Sequence, residues 1–195
     1  MEPSPDPAWA GRSLLGRPLI LASASPQRRA ILTDAGIDFT VVPANVDEEM
    51  TGDAAAVAER NARRKATAVT GPLVLGADTV VVLDGDILGK PADEEAARAY
   101  LRRLNGRTHE VVGAIALAEA GEIVATAVET TRVTFHRRSD DEIDAYVATG
   151  EWVGRAGGYA IQETGGTVLV ARVDGDYLNV VGLPLERLEQ LLATR

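Results

Sequence analysis

The 195-residue chain contains no cysteine. That excludes disulfides, thiolate zinc sites and thiol nucleophiles, and by itself leaves the compartment open. Histidine is nearly absent: only His109 and His136 occur, at a spacing that suggests no ligand pair. A His-rich metal site or a His-dependent triad would need one of these two, and both are read as structural. No apolar run approaches the ~18 residues of a membrane span. The opening MEPSPDPAWAG carries acids and prolines where a secretion signal needs a basic start and an apolar stretch. These features point to a cytoplasmic protein. Positive charge is also short: 20 Lys and Arg against 29 Asp and Glu give a formal charge of −9. So acidic a chain is a poor binder of nucleic acid polymer or of an anionic membrane. Neither common nucleotide loop is present, since no GxGxxG follows the first predicted strand and no GxxxxGK(S/T) occurs. The chemistry left to the chain runs mainly on carboxylates, Lys, Arg and hydroxyls.

What is present is an ordinary globular balance, 46% apolar and 25% charged residues. The length fits one domain, or two small lobes sharing a cleft. Residues 1–17 are rich in Pro and Gly without periodicity and read as a mobile tail; residues 18–195 read as a single domain. Leu19 to Ala22 is a short apolar run suited to a buried strand. Ser25, Pro26 and Gly36 then supply the N-cap, first position and C-terminal cap of a helix. Phe39 to Val42 reads as the next strand, and Asp53 caps an Ala-rich helix to Val69. Asp84-Gly85 marks a two-residue hairpin turn. Asp93 caps a helix with Ala97, Leu101 and Leu104 on one face. Val111 to Leu117 and Ile123 to Phe135 read as strands joined at Ala120-Gly121. Ser139 to Glu142 is a capping box. Val168 to Val173 and Tyr177 to Val181 read as a last hairpin around Asp174-Gly175, before a helix opened by Pro184. Adjacent strands without intervening helices predict an α/β fold with a mixed sheet rather than a pure parallel one.

Five stretches carry chemistry. Ser23-Ala24-Ser25-Pro26-Gln27-Arg28-Arg29 lies at a strand-to-helix junction, where unpaired N–H groups attract phosphate; plain capping with surface arginines is the alternative. Asp78, inside VLGADTVVVL, is a costly carboxylate unless it binds a cation or a hydrogen-bond donor. Lys90, in Gly89-Lys90-Pro91, can hold a phosphate as a point charge. Asp47-Glu48-Glu49 suits Mg²⁺, a hard cation that takes one or two carboxylates plus substrate phosphates. In the stretch from Gly154 to Gln162, paired glycines allow close backbone approach and Gln162 offers both donor and acceptor to a base edge. Charge is segregated before the second of these: from Asp34 through Glu59 there are seven acids and no base, then Arg60, Arg63, Arg64 and Lys65 follow. A solvated helix face with i,i+4 pairs such as Glu59 with Arg63 accounts for that pattern.

Taken together, LASASPQRRAIL, VDEE, GADTVV, LGKPAD, LNGRTHEV, GRAGGYAIQ and GDYLNVVGLPL make the chain resemble the Maf family of nucleoside triphosphate pyrophosphatases. The motifs run in family order from Leu19 to the C-terminus. The resemblance implies a Maf/ITPase-like fold: a central, twisted, mixed sheet flanked by helices, a deep substrate cleft and often a homodimer. It implies cleavage of a nucleoside triphosphate between its α- and β-phosphates. By motif, Asp78 is the acidic catalytic residue, Glu48 and Asp78 hold a divalent cation (Mg²⁺ or Mn²⁺), and Ser23, Arg28, Lys65 and Lys90 hold the triphosphate. Water then attacks the α-phosphorus, Asp78 takes its proton, and Arg28 and Lys90 steady the leaving pyrophosphate. Gln27, Thr79 and Gln162 fall on the family's base-reading positions. The dTTP/UTP group usually carries Arg, Thr and Gln there, and the 7-methyl-GTP group Trp, Gln and Glu. Two of three positions match the pyrimidine group, and Gln27 departs from it by replacing a charged donor with a neutral one. The other expectation is a nucleotide-binding regulator of cell division that inhibits septum formation through a protein partner.

Overall fold

The computed structural model describes residues 18–194; the predicted 1–17 tail lies outside them. The chain enters through β1 (Leu19–Leu21), α1 (Pro26–Asp34) and β2 (Phe39–Val41). Ser25 caps α1 by accepting the Arg28 N–H, and Pro26 takes its first position. Asp53 caps α2 (Ala54–Thr67), which leads to the long strand β3 (Leu73–Leu83) and, through Asp84-Gly85, to β4 (Asp86–Leu88). Both turn residues have positive φ, 53° and 85°, as a tight hairpin requires. Asp93 caps α3 (Glu94–Leu104), and β5 (Thr108–Glu119) and β6 (Glu122–Phe135) form the next hairpin. The predicted capping box at Ser139 and Glu142 starts α4 (Asp140–Ala148).

The last third departs from the predicted hairpin. Only β7 (Val170–Asp174) is a strand. Val168 and Leu169 end a short helix, α5 (Thr164–Leu169), and Tyr177–Val181 forms α6. The α5 start is held from a distance: the Glu151 carboxylate accepts from Gly165 and Gly166 N–H at 3.1 and 3.0 Å. In α6, Asp176 caps the Leu178 N–H, and the turn points Asn179 onto β5. There its amide donates to the Val111 carbonyl and the Thr131 hydroxyl, both at 3.1 Å. These partners lie some 50 and 70 residues away, so β-branched composition in YLNVV misleads a local reading. The terminal helix α7 (Leu185–Ala193) follows Pro184 and buries Leu188 and Leu192.

The strands form one seven-stranded mixed sheet, ordered β2-β1-β3-β5-β6-β7, with β4 also on β3. The β2, β1 and β3 strands are parallel, and the rest pair antiparallel. β5 covers one edge of β3 from Val74 to Val82. On the other edge β1 pairs with Leu73–Leu75 and β4 with Val81–Leu83. Residues 76–80 between them have no strand neighbour on that side, and Asp78 is their midpoint.

Alternation along β3 sends even residues to α2 and odd residues to the opposite face. On the α2 side the core is built from small groups, among them Ala58, Ala62 and Ala66 against Val74, Ala114 and Ala116. On the odd face two larger cores follow one another. Leu75, Ile115 and Leu117 pack under α1 and α7, while Val81, Val111 and Val133 pack under α3 and α4. α2 lies so close to the sheet that a Cβ on Gly76 would come within 2.1 Å of the Ala62 carbonyl and 2.6 Å of the Ala66 nitrogen. Gly76→Ala should therefore force α2 off the sheet and cost about 2 kcal/mol or more. Urea unfolding is the check: the midpoint should fall, and an unchanged midpoint would contradict this packing.

Candidate active site

A cleft of about 510 Å³ opens at the uncovered edge of β3, with Val81, Val111 and Tyr159 of the core under α3 and α4 in its wall. All nine residues singled out from the sequence line it: Glu48, Asp78 and Lys65 on one side, Ser23, Gln27, Arg28 and Thr79 on another, with Lys90 and Gln162 beyond.

Asp78 points from β3 toward α2 and is 4% exposed. Its Oδ1 accepts from Lys65 Nζ at 2.7 Å and its Oδ2 from Asn61 Nδ2 at 3.0 Å. Asn61 and Lys65 are four residues apart, hence on one face of α2, and take the two carboxylate oxygens between them. Lys65 also donates to Glu48 Oε1 at 2.6 Å and to the Ala77 carbonyl at 3.3 Å, so its three N–H bonds are all committed. Lys90, at the surface, reaches Glu48 Oε2 at 3.1 Å. Burial pushes the Glu48 carboxyl up, but the Lys65 hydrogen bond and charge, helped by Lys90, outweigh it and hold the pKa at about 2.

Arg28 leaves the first turn of α1 and is buried. Its Nε donates to the Gly182 carbonyl at 2.9 Å, Nη1 to Ser23 Oγ at 3.0 Å and Nη2 to Thr79 Oγ1 at 3.3 Å. Burial pulls the guanidinium pKa below its usual value, while the charges of Asp78 and Glu48 push it back up. Three of five N–H groups are thus fixed and two remain for a ligand. The C-terminal Gly182 carbonyl, at the end of α6, sets this orientation. Ser25 is occupied as the α1 cap, its hydroxyl donating to Gln27 Oε1 at 3.2 Å. Among the described residues the Gln162 side chain hydrogen-bonds only to Glu163, Nε2 donating to Oε1 at 3.4 Å.

Two residues, one behind the cleft and one in its wall, received no role in the sequence reading. Asn61 is 1% exposed, and an Asn inside an Ala-rich helix, one turn before Lys65, is the signal that marks it. Arg155 lines the cleft with its Nε buried and unpartnered.

Glu48 and Asp78 offer hard oxygen donors on either side of one ammonium, so the space between them already favours a cation. Among the described residues no group of three or more His or acidic side chains is arranged to hold a metal. Two carboxylates completed by substrate phosphates and water are a set that Mg²⁺ or Mn²⁺ accepts. The donor chemistry therefore fits a divalent ion that arrives with an anionic ligand.

The fold and the cleft define an α/β protein in which buried Arg28 and exposed Lys90 share one cleft with a pair of carboxylates, Glu48 and Asp78. The same fold occurs in a HAM1 protein from Coxiella burnetii, with a TM-score of 0.53 and 18% identity over 92% of this chain and 100% of that one. The chain belongs to the Maf family: the family model described as Maf-like protein matches residues 18–195. A Thermus thermophilus relative named dTTP/UTP pyrophosphatase is 48% identical over 91% of this chain and 95% of its own. A Moorella thermoacetica relative of the same name is 46% identical over 90% and 93%. No helix among the described residues is long and apolar enough to cross a membrane.

His109, read as structural, lies under the cleft wall. It is 2% exposed, its Nε2 meets the Tyr159 hydroxyl at 2.8 Å, and Phe135 and Tyr159 meet its ring edge-on. Burial lowers its pKa from 6.5 to about 4. The unfolded chain takes up the proton first as pH falls. His109 thus contributes full stability above about pH 6.5, and that contribution is lost between there and about pH 4. The loss should be on the order of 3 kcal/mol. Glu48, by contrast, loses its contribution only below its ordinary 4.5, toward about 2. Urea titrations from pH 7 to 4.5 should show wild-type stability falling and His109→Gln nearly flat; equal slopes would contradict the assignment.

Proposed function

We propose that this chain is a nucleoside triphosphate pyrophosphatase that converts dTTP and UTP to the monophosphate and pyrophosphate. The observation that carries the reading is the meeting of Asp78, Glu48, Arg28, Lys65 and Lys90 in one cleft at the uncovered edge of β3. Relatives matching about nine-tenths of the chain bear the corresponding name.

In this reading Arg28 and Lys90 grip the β- and γ-phosphates. Arg28 is preorganised by three protein contacts, so little ordering remains to be done on binding. Lys90 has only exposed bonds to Glu48 and can swing to phosphate at small cost. Ser23 offers its hydroxyl beside Arg28. Lys65 acts first as the positive charge that keeps Glu48 and Asp78 together; direct phosphate contact requires it to give up one of its three bonds. Glu48 and Asp78 would hold a divalent ion, which when bound neutralises charge on the triphosphate oxygens. Asp78 accepts the proton of the attacking water, since each carboxylate oxygen keeps a lone pair beyond its single protein donor.

The base lies among Gln27, Thr79 and Gln162. Thr79 sits on the odd face of β3 beside Arg28, and Gln162 has no strong partner to lose. A site built on such hydrogen bonds discriminates against bases that leave them unpaired. Gln27 lacks the charge of an Arg, which broadens the profile around dTTP and UTP.

The test is product analysis over a panel of dTTP, UTP, CTP, GTP and 7-methyl-GTP, with Mg²⁺ or excess EDTA. Expected are dTMP or UMP plus pyrophosphate, dTTP and UTP leading, and no turnover after chelation. Asp78→Asn should lose about 10²-fold or more in kcat while keeping its circular dichroism. Mainly dTDP and orthophosphate, or near wild-type turnover by the variant, would overturn the reading. On base choice, Gln27→Arg should narrow the profile toward dTTP and UTP; an untouched ranking would remove Gln27 from the base-reading set.

A further inference from the structure

The acidic loop that carries Glu48 has almost no backbone support. Residues 43–52 contain no helix or strand. Among the described residues, Glu49 supplies the only backbone groups of this stretch that are hydrogen-bonded, and both bonds go to one side chain. The Glu49 N–H donates to Asn61 Oδ1 at 2.8 Å, and Asn61 Nδ2 donates to the Glu49 carbonyl at 2.9 Å. The second Nδ2 proton is the one that reaches Asp78 Oδ2 at 3.0 Å. One buried amide therefore spends all of its strong hydrogen bonds tying the loop to the carboxylate on β3. The other ties are ion pairs of Glu49 with Arg60 and Arg64, whose side chains are all more than 40% exposed, and those of Glu48 with Lys65 and Lys90. Exposed pairs of this kind hold a loop weakly.

We propose that Asn61 is a positioning residue, a latch that docks the 43–52 loop and so sets the separation of Glu48 from Asp78. Glu48 is next in sequence to the latched Glu49, so the latch fixes where its carboxylate starts. Asp78 and Glu49 are bound to the same amide, so neither moves without straining the other. Asn61 touches no reacting atom; it acts through Glu48 and Asp78. Its catalytic consequence rests on the pyrophosphatase reading, but the latch itself does not.

The latch is tested by amide hydrogen exchange on the full chain without nucleotide. Wild type should show one slow amide between residues 44 and 52, that of Glu49. Asn61→Ala should speed that amide by about 10-fold or more, the scale of one or two lost hydrogen bonds. The unpaired Asp78 oxygen should lower protection in β3 and β5 together, as one global loss of stability, whereas the Glu49 amide should become as fast as its unbonded loop neighbours. Glu49→Gln removes the exposed ion pairs of that side chain but not its backbone bonds to Asn61 and should keep the slow amide, which also serves if the Ala variant fails to fold. A Glu49 amide that is fast in wild type, equally slow in Asn61→Ala, or released in Glu49→Gln overturns the latch.

The functional consequence is read by Mn²⁺ binding in the presence of a non-hydrolysable α,β-methylene analogue of dTTP, followed by electron paramagnetic resonance, and by kcat. Asn61→Ala should weaken Mn²⁺ and lower kcat, each about 10-fold. Added to Glu48→Gln it should cost less than it does alone, because the part of its effect that runs through Glu48 is already lost. Full additivity would show that Asn61 does not act through Glu48. If the exchange result holds while neither wild type nor variant hydrolyses any nucleotide, the latch stands and the pyrophosphatase reading falls.

Discussion

Asp78 stands where β3 has a strand neighbour on one side only, buried to 4% among apolar residues. A carboxylate in such a place costs several kcal/mol unless charge and hydrogen bonds compensate it. The compensation comes from α2, through Lys65 on one oxygen and Asn61 on the other. The remainder of the acidic site follows from these two side chains. Lys65 carries a second carboxylate, Glu48, and Asn61 carries the loop on which Glu48 sits. Removing either partner would leave a buried charge exposed to the full desolvation penalty.

Small residues make this contact reachable. An Asn side chain is short, so the α2 axis must lie close to the sheet. The stripe Ala58, Ala62, Ala66 against Gly76 and the alanines of β5 provides that approach. On the opposite face Gly113 allows Asn179 an equally close approach, with a Cβ at that glycine falling 1.9 Å from Asn179 Oδ1. That docks α6 and brings the Gly182 carbonyl to Arg28. Two close packings, one on each face of the sheet, thus place the acid pair and the phosphate-seeking guanidinium on either side of one gap.

Much of this was legible locally. Ser25, Asp53, Asp93 and Ser139 each cap the helix they were expected to cap, and Asp84-Gly85 turns its hairpin, because these signals act within four residues. An Asp in an apolar strand signalled that something must compensate it. What supplies the compensation was not legible, since Asn61 gains its meaning only when α2 meets β3 and the 43–52 loop. The C-terminal hairpin failed for the same reason. Tyr177–Val181 has strand-like composition, yet Asn179 must enter the sheet face as part of a helix to find Val111 and Thr131. The two-glycine start of α5 relies on Glu151, 14 and 15 residues back.

The central claim is that this gap directs water to the α-phosphorus of a nucleoside triphosphate beside Asp78. Hydrolysis of dTTP in ¹⁸O-labelled water tests it most directly, with the oxygen isotope read in both products by mass spectrometry. The account predicts one labelled oxygen in dTMP and none in pyrophosphate. Label in the pyrophosphate would mean attack at the β-phosphorus and would contradict it.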